Sequence, residues 1–132
     1  MVNIPANVIE LMNKEGTVKA LVTSSKKGMP HAIIAGTIMS PAPNTMVIGE
    51  VLMKVSSKNL KENEEAAFLI TSGTEAYEIN CKVKARLDKG PELDGMNKVL
   101  ETMHMHAAAI WIFTVEAVFD QSASPKAGTK LA

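Results

Sequence analysis

Met53-Lys54-Val55-Ser56-Ser57-Lys58-Asn59-Leu60 follows a strand-like run at 45–49 and opens a helical one. Its charges run against the usual order. A helix start carries the positive end of the peptide dipole and favours acidic residues. Here Lys54 and Lys58 bracket two hydroxyls, while Glu62, Glu64 and Glu65 crowd the far end. A phosphate at the first turn would resolve the first conflict, accepting bonds from free backbone N–H groups, from Ser56 and Ser57, and from Lys54. The bland alternative is that Ser56 caps the helix and both lysines are solvated. These residues alone leave both open.

Upstream of this segment, residues 28–49 contain no Asp, Glu, Lys or Arg. The run is long enough to span a bilayer, but Pro30, Pro41 and Pro43 break it, which argues against a transmembrane helix. It reads instead as two strands, 30–39 and 45–49, joined by a turn at Pro41-Ala42-Pro43-Asn44. Neither strand has a charged face, so one side faces the interior and the other a partner, a cofactor or another part of the fold. Gly36, inside the first of them, marks a bulge or a close backbone approach.

The rest of the chain follows the same logic. Residues 5–14 form a short helix with an apolar stripe of Val8, Ile9, Leu11 and Met12, and 17–24 form a strand leading into a turn at Ser25-Lys26-Lys27-Gly28. Residues 57–63 give one or two helical turns, and 66–72 a strand. In the strand at 77–87, Lys82, Lys84 and Arg86 alternate with Cys81, Val83, Ala85 and Leu87, one wet face and one buried. Gly90-Pro91 starts a helix with Leu93, Met96, Leu100 and Met103 along one side. Residues 108–119 form a last strand containing the only tryptophan, Trp111. The expectation is a mainly β, six-stranded antiparallel barrel of Greek-key type with two to three short helices. It occupies one domain, 1–120, followed by a tail, 121–132, that is mobile or orders only on a partner.

Composition narrows the function. The 132 residues carry 14 basic and 14 acidic side chains, which argues against nucleic-acid binding through a broad basic face and against a polybasic membrane patch. A lone Cys81 gives no disulfide, and no secretory pattern opens the chain, so the expected location is cytoplasmic. Hydrophobic residues make up 46% but aromatics only 4%, and nine methionines fill part of that gap, chiefly as core filler. His104 and His106, two apart at a helix end, do not share a helix face. With His31 they make a poor metal site, and none is expected. Walker, nucleophile-elbow and dinucleotide fingerprints are absent, and no catalytic residue is nominated.

The order of these elements resembles the small FMN-binding split-barrel proteins, relatives of pyridoxamine 5′-phosphate oxidase, over residues 8–121. The likeness rests on Gly28-Met29-Pro30-His31, Val47-Ile48-Gly49, the Met53–Asn59 segment and residues 108–115. It implies a homodimer with FMN at the subunit interface. By resemblance, Lys54 or Lys58 with Ser56 and Ser57 would hold the flavin phosphate, in a segment that includes Met53 and Val55, with Asn59 near the same site. Ile34, Ala35, Gly36 and Thr37 would run beside the isoalloxazine ring, with Ile48, Gly49, Glu50 and Val51 on its other edge. The implied activity is FMN-dependent redox chemistry with electrons from NAD(P)H or a protein donor. The alternatives are a non-enzymatic electron carrier or flavin store, and a split-barrel module that binds haem or a deazaflavin.

Overall fold

The computed structural model describes residues 2–132. Its elements, in chain order, are α1 (Ala6–Asn13), β1 (Val18–Ser24), β2 (Pro30–Ile34), β3 (Met39–Ala42), β4 (Thr45–Gly49), α2 (Lys54–Glu62), β5 (Glu65–Ser72), β6 (Glu75–Leu87), α3 (Pro91–Glu101), β7 (Ile110–Asp120) and β8 (Thr129–Lys130). All strand pairs are antiparallel, in the order β2-β1-β5-β6-β7-β4-β3, with β8 on β7. The mainly β antiparallel class matches the sequence expectation, although the described residues hold eight strands rather than six.

The two extra strands have local causes. The run expected as one strand at 30–39 breaks after Ile34, because Gly36 and Thr37 form a turn. Thr37 Oγ1 then accepts from the Gly49 N–H and donates to the Gly49 carbonyl, both at 3.2 Å. That reciprocal pair diverts the chain into β3. The tail is docked rather than mobile: the Leu131 N–H donates to the Val118 carbonyl at 2.7 Å, and the Val118 N–H to the Ala132 carbonyl at 3.0 Å. The edge of β7 beyond β4 would otherwise expose unpaired backbone groups.

Alternation fills the interior. Leu21 on β1, Phe68 and Ile70 on β5, Ile79 on β6 and Phe113 and Val115 on β7 are fully buried. Phe68 and Phe113 meet edge to face with centroids 5.1 Å apart, the arrangement that ring quadrupoles favour. A second, smaller cluster of Val47, Leu93, Met96, Leu100, Ala107 and Ile110 seats α3 against the β4–β7 face. Asn97 fixes the chain after α3: its amide donates to the Ala107 carbonyl at 3.1 Å and accepts from the Ala107 N–H at 2.7 Å.

Register shifts interrupt β6 against β7 at Asn80/Cys81 and at Val83/Ala85. Each shift re-aims the side chains that follow it. Arg86, placed by strict alternation on the wet face, is thereby set opposite Trp111 and only partly exposed.

Candidate functional site: an apolar cavity beside an uncapped helix start

A cavity of about 550 Å³ opens between the β2–β3 turn, the link from β4 to α2, and α3. Its volume lies within the usual range for small-molecule sites, roughly 300–1,000 Å³. It is lined by Ile33, Ile34, Ala35, Gly36, Thr37 and Met39 on one side, Val51 and Leu52 on the second, and Met96, Val99, Leu100, Met103 and Met105 on the third. None of these is charged, and the hydroxyl of Thr37, the one polar side chain, is spent on Gly49. Leu52 is 97% exposed and Ile34 75%. Exposed apolar side chains converging on one concavity mark a binding surface.

The inner wall is stiff. Thr37 clamps the β2–β3 turn to Gly49, the Lys19 ammonium donates to the Ile38 carbonyl at 2.6 Å, and the Ala35 N–H donates to the Lys19 carbonyl at 3.1 Å. Partial burial pushes the Lys19 pKa down. The outer wall is thioether-rich, and unbranched methionines adapt to irregular shapes. Here Met39, Met103 and Met105 leave the core-filling role that composition suggests, while Met96 packs in the second cluster and also reaches the cavity.

The two segments assigned to a ring wall fare differently. Ile34, Ala35, Gly36 and Thr37 all line the cavity, and a Cβ on Gly36 would meet open space. Of the second segment only Val51 does so. Ile48 is fully buried in the barrel core. Gly49 does not open a path for a ligand: a Cβ there would sit 3.3 Å from Met96 Cγ and Sδ, so its lack of a side chain serves the packing of α3.

Glu50 turns inward to a hydrogen-bond network. Its Oε1 accepts from Ser57 Oγ at 2.7 Å, Trp111 Nε1 at 2.8 Å and Arg86 Nε at 3.1 Å, and its Oε2 accepts from Arg86 Nη2 at 2.8 Å. The guanidinium also lies 5.7 Å from the Trp111 ring centre. The bidentate Arg86 bond, helped by Ser57 and Trp111, outweighs desolvation and pulls the Glu50 pKa down to about 2. Arg86 is correspondingly pushed up by the same partner.

The helix start sits directly after the cavity lip. Residues 51 and 52 line the cavity, Met53 is the N-cap and is buried, and Lys54 is the first residue of α2. The helix thus begins three residues earlier than its sequence suggests, and Ser56 lies inside the first turn instead of capping it. No side chain caps α2, and its first turn holds no acidic residue. The N–H groups of Lys54, Val55 and Ser56 precede the first intrahelical bond, from the Ser57 N–H to the Met53 carbonyl at 2.8 Å. Lys54, Val55 and Lys58 are exposed. Ser56 is fully buried, and its Oγ is the one buried side-chain oxygen or nitrogen without a partner among the described residues. Leaving such a hydroxyl unpaired costs roughly 1–3 kcal/mol. Ser57 is spent on Glu50, and Asn59 Nδ2 donates to Thr23 Oγ1 at 3.1 Å in a buried joint between α2 and β1.

Several of these residues escape a sequence reading. Glu50 is the first charge after the charge-free run, and a lone tryptophan needs a partner for its N–H. Those are faint signals for the network, and nothing in the sequence singles out Arg86. Of the third wall, Met96, Leu100 and Met103 belong to the apolar stripe read from the sequence, whereas Val99 and Met105 lie outside it.

The barrel, its sheet order and its flanking helices define the class: this chain has the FMN-type split-barrel fold. HupZ from Group A Streptococcus superposes with a TM-score of 0.80 at 16% identity, covering 95% of this chain and 99% of the other. An FMN-binding protein from Syntrophomonas wolfei gives 0.79 at 15% identity, over 89% and 88%. A pyridoxamine 5′-phosphate oxidase candidate from Lactobacillus delbrueckii gives 0.73 at 16% identity, over 89% and 93%. No family model and no curated protein matches the sequence. The likeness is one of fold. No helix among the described residues is long and apolar enough to cross a membrane.

Proposed function

We propose that the chain binds FMN and serves as a flavin-dependent redox protein. The observation that carries this reading is adjacency: one short link, residues 50–53, forms the lip of a charge-free cavity and runs straight into an uncapped helix start. A flat, largely apolar ring with a phosphate on a short tail needs both features side by side. The first turn of α2 supplies free N–H groups, Lys54, and the unpartnered hydroxyl of Ser56, all suited to a phosphate. The cavity supplies Ala35, Gly36 and Thr37 on one side and Val51 on the other for the ring.

FMN, when bound, supplies the electron-transfer chemistry, and the protein supplies position and electrostatics. The Thr37 clamp and the Lys19–Ile38 bond hold the wall on which the ring would rest, and the apolar α3 wall excludes water from it. A second copy of the chain covering the exposed Ile34 and Leu52 completes the proposal as a homodimer. Electrons arrive from a reduced nicotinamide or a protein donor.

The purified protein tests this directly. Its visible spectrum is expected to show a flavin, with FMN released on denaturation and identified by chromatography. Colourless protein that leaves added FMN fluorescence unchanged would overturn the reading. Steady-state oxidation of NADH or NADPH then separates an enzyme from an electron carrier.

A further inference from the structure

We infer that Glu50 is a positioning residue that sets the α2 first turn in register with the ring wall, so that one ligand can reach both. This rests on the FMN reading above. The two ends of the site are held by different bonds. The ring wall is fixed without Glu50's side chain: Thr37 clamps Gly49, Lys19 holds Ile38, and the Glu50 backbone itself is tied to the start of β7, its N–H donating to the Ala109 carbonyl at 2.8 Å and its carbonyl accepting from the Ala108 N–H at 3.1 Å.

The first turn of α2 is joined to the sheet by the Glu50 carboxylate. Ser57 Oγ brings the helix to it, and Arg86 from β6 and Trp111 from β7 anchor it on the other side. Four donor atoms converge on the carboxylate, three on Oε1 and one on Oε2, and its side chain is only 14% exposed. Between the two ends stands Leu52, with φ at 54° and its side chain almost wholly in solvent. A non-glycine residue in that region persists only where its surroundings over-determine it. The carboxylate of Glu50, the first residue of the link, is thus bonded back to Ser57 in the helix that the link leads into. The same network consumes Ser57, leaving Ser56 as the turn's unengaged hydroxyl.

The test compares FMN with riboflavin, which has the ring and lacks the phosphate, by fluorescence titration of full-length protein. Glu50→Gln keeps the size and loses the charge and half of the Arg86 pairing. It is expected to weaken FMN about tenfold, while riboflavin stays within about twofold and inorganic phosphate, read by its effect on thermal unfolding, still binds. Arg86→Gln, on β6 and away from both cavity and helix, is expected to give the same pattern and keeps the test alive should Glu50→Gln fold poorly. Equal losses for FMN and riboflavin would mean a general folding role and overturn the inference. So would variants that bind FMN as the wild type does. A wild-type protein that binds neither ligand overturns the FMN reading itself, and this inference with it.

Discussion

Ala35, Gly36 and Val51 meet Met96, Val99 and Met103 in a cavity whose side chains ask for no hydrogen bond, whereas a few residues further on Ser56, Ser57 and Asn59 sit in a helical turn crowded with polar groups. The cavity leaves apolar surface in water. The turn buries polar groups, pairs Ser57 and Asn59, and leaves Ser56 without a partner. Each region is incomplete in its own currency, one in apolar contact and the other in hydrogen bonding. The proposed ligand, with an apolar ring and an anionic end, would complete both.

The largest effect is expected where the two regions join. Glu50→Ala leaves Arg86 without its carboxylate in a partly buried place, at a cost of about 3 kcal/mol, the lower end for a broken ion pair because Arg86 still reaches water. Urea unfolding of the two proteins measures it. Acid probes the same joint. Glu50 has a folded pKa of about 2 against an ordinary 4.5. A depressed carboxylate contributes stability that is fully present above about pH 4.5 and is lost as pH falls toward 2, in all about 3 kcal/mol. The wild type minus Glu50→Gln difference in unfolding free energy is expected to shrink across that window, and a flat difference would refute the assignment.

The cavity side breaks differently. Val99→Asp and Met103→Asp alter side chains that are 61% and 53% exposed, so stability is expected to stay within about 0.5 kcal/mol. A charge facing an apolar ring is expected to weaken both FMN and riboflavin by roughly 2 kcal/mol, or some thirtyfold. Loss of FMN binding alone would show that the ring lies elsewhere.

Much of this was legible in the sequence, and the remainder has identifiable causes. Period-two patterning placed the strand at 77–87, where buried Tyr77, Ile79 and Cys81 alternate with the more accessible Glu78, Asn80 and Lys82. It failed at Gly36–Thr37, where a side-chain hydroxyl replaces ladder bonds, and past Val83, where the register shift moves Arg86 out of phase. The conflict between Lys54 and the helix dipole pointed to the α2 turn. Which hydroxyl stays free was hidden, because Ser57 is claimed by a carboxylate seven residues earlier and Asn59 by Thr23 on another strand. The apolar stripe of α3 was legible, but that its Met96, Leu100 and Met103 also border a cavity was not, because the opposite walls come from the distant β2–β3 turn and the link after β4.

Ser56 carries the smallest expected change and the most direct test. Ser56→Ala removes an unpaired buried hydroxyl and improves the helix, so without ligand it is expected to stabilise the protein by about 1 kcal/mol. The same change removes a donor to the phosphate and is expected to weaken FMN by roughly 1.5 kcal/mol, more than tenfold. Thermal unfolding without FMN and fluorescence titration with it, on wild type and Ser56→Ala side by side, give both signs. A more stable variant that binds FMN more weakly is the predicted result. A variant that binds FMN as tightly as the wild type, or a wild type that ignores FMN, would contradict the account.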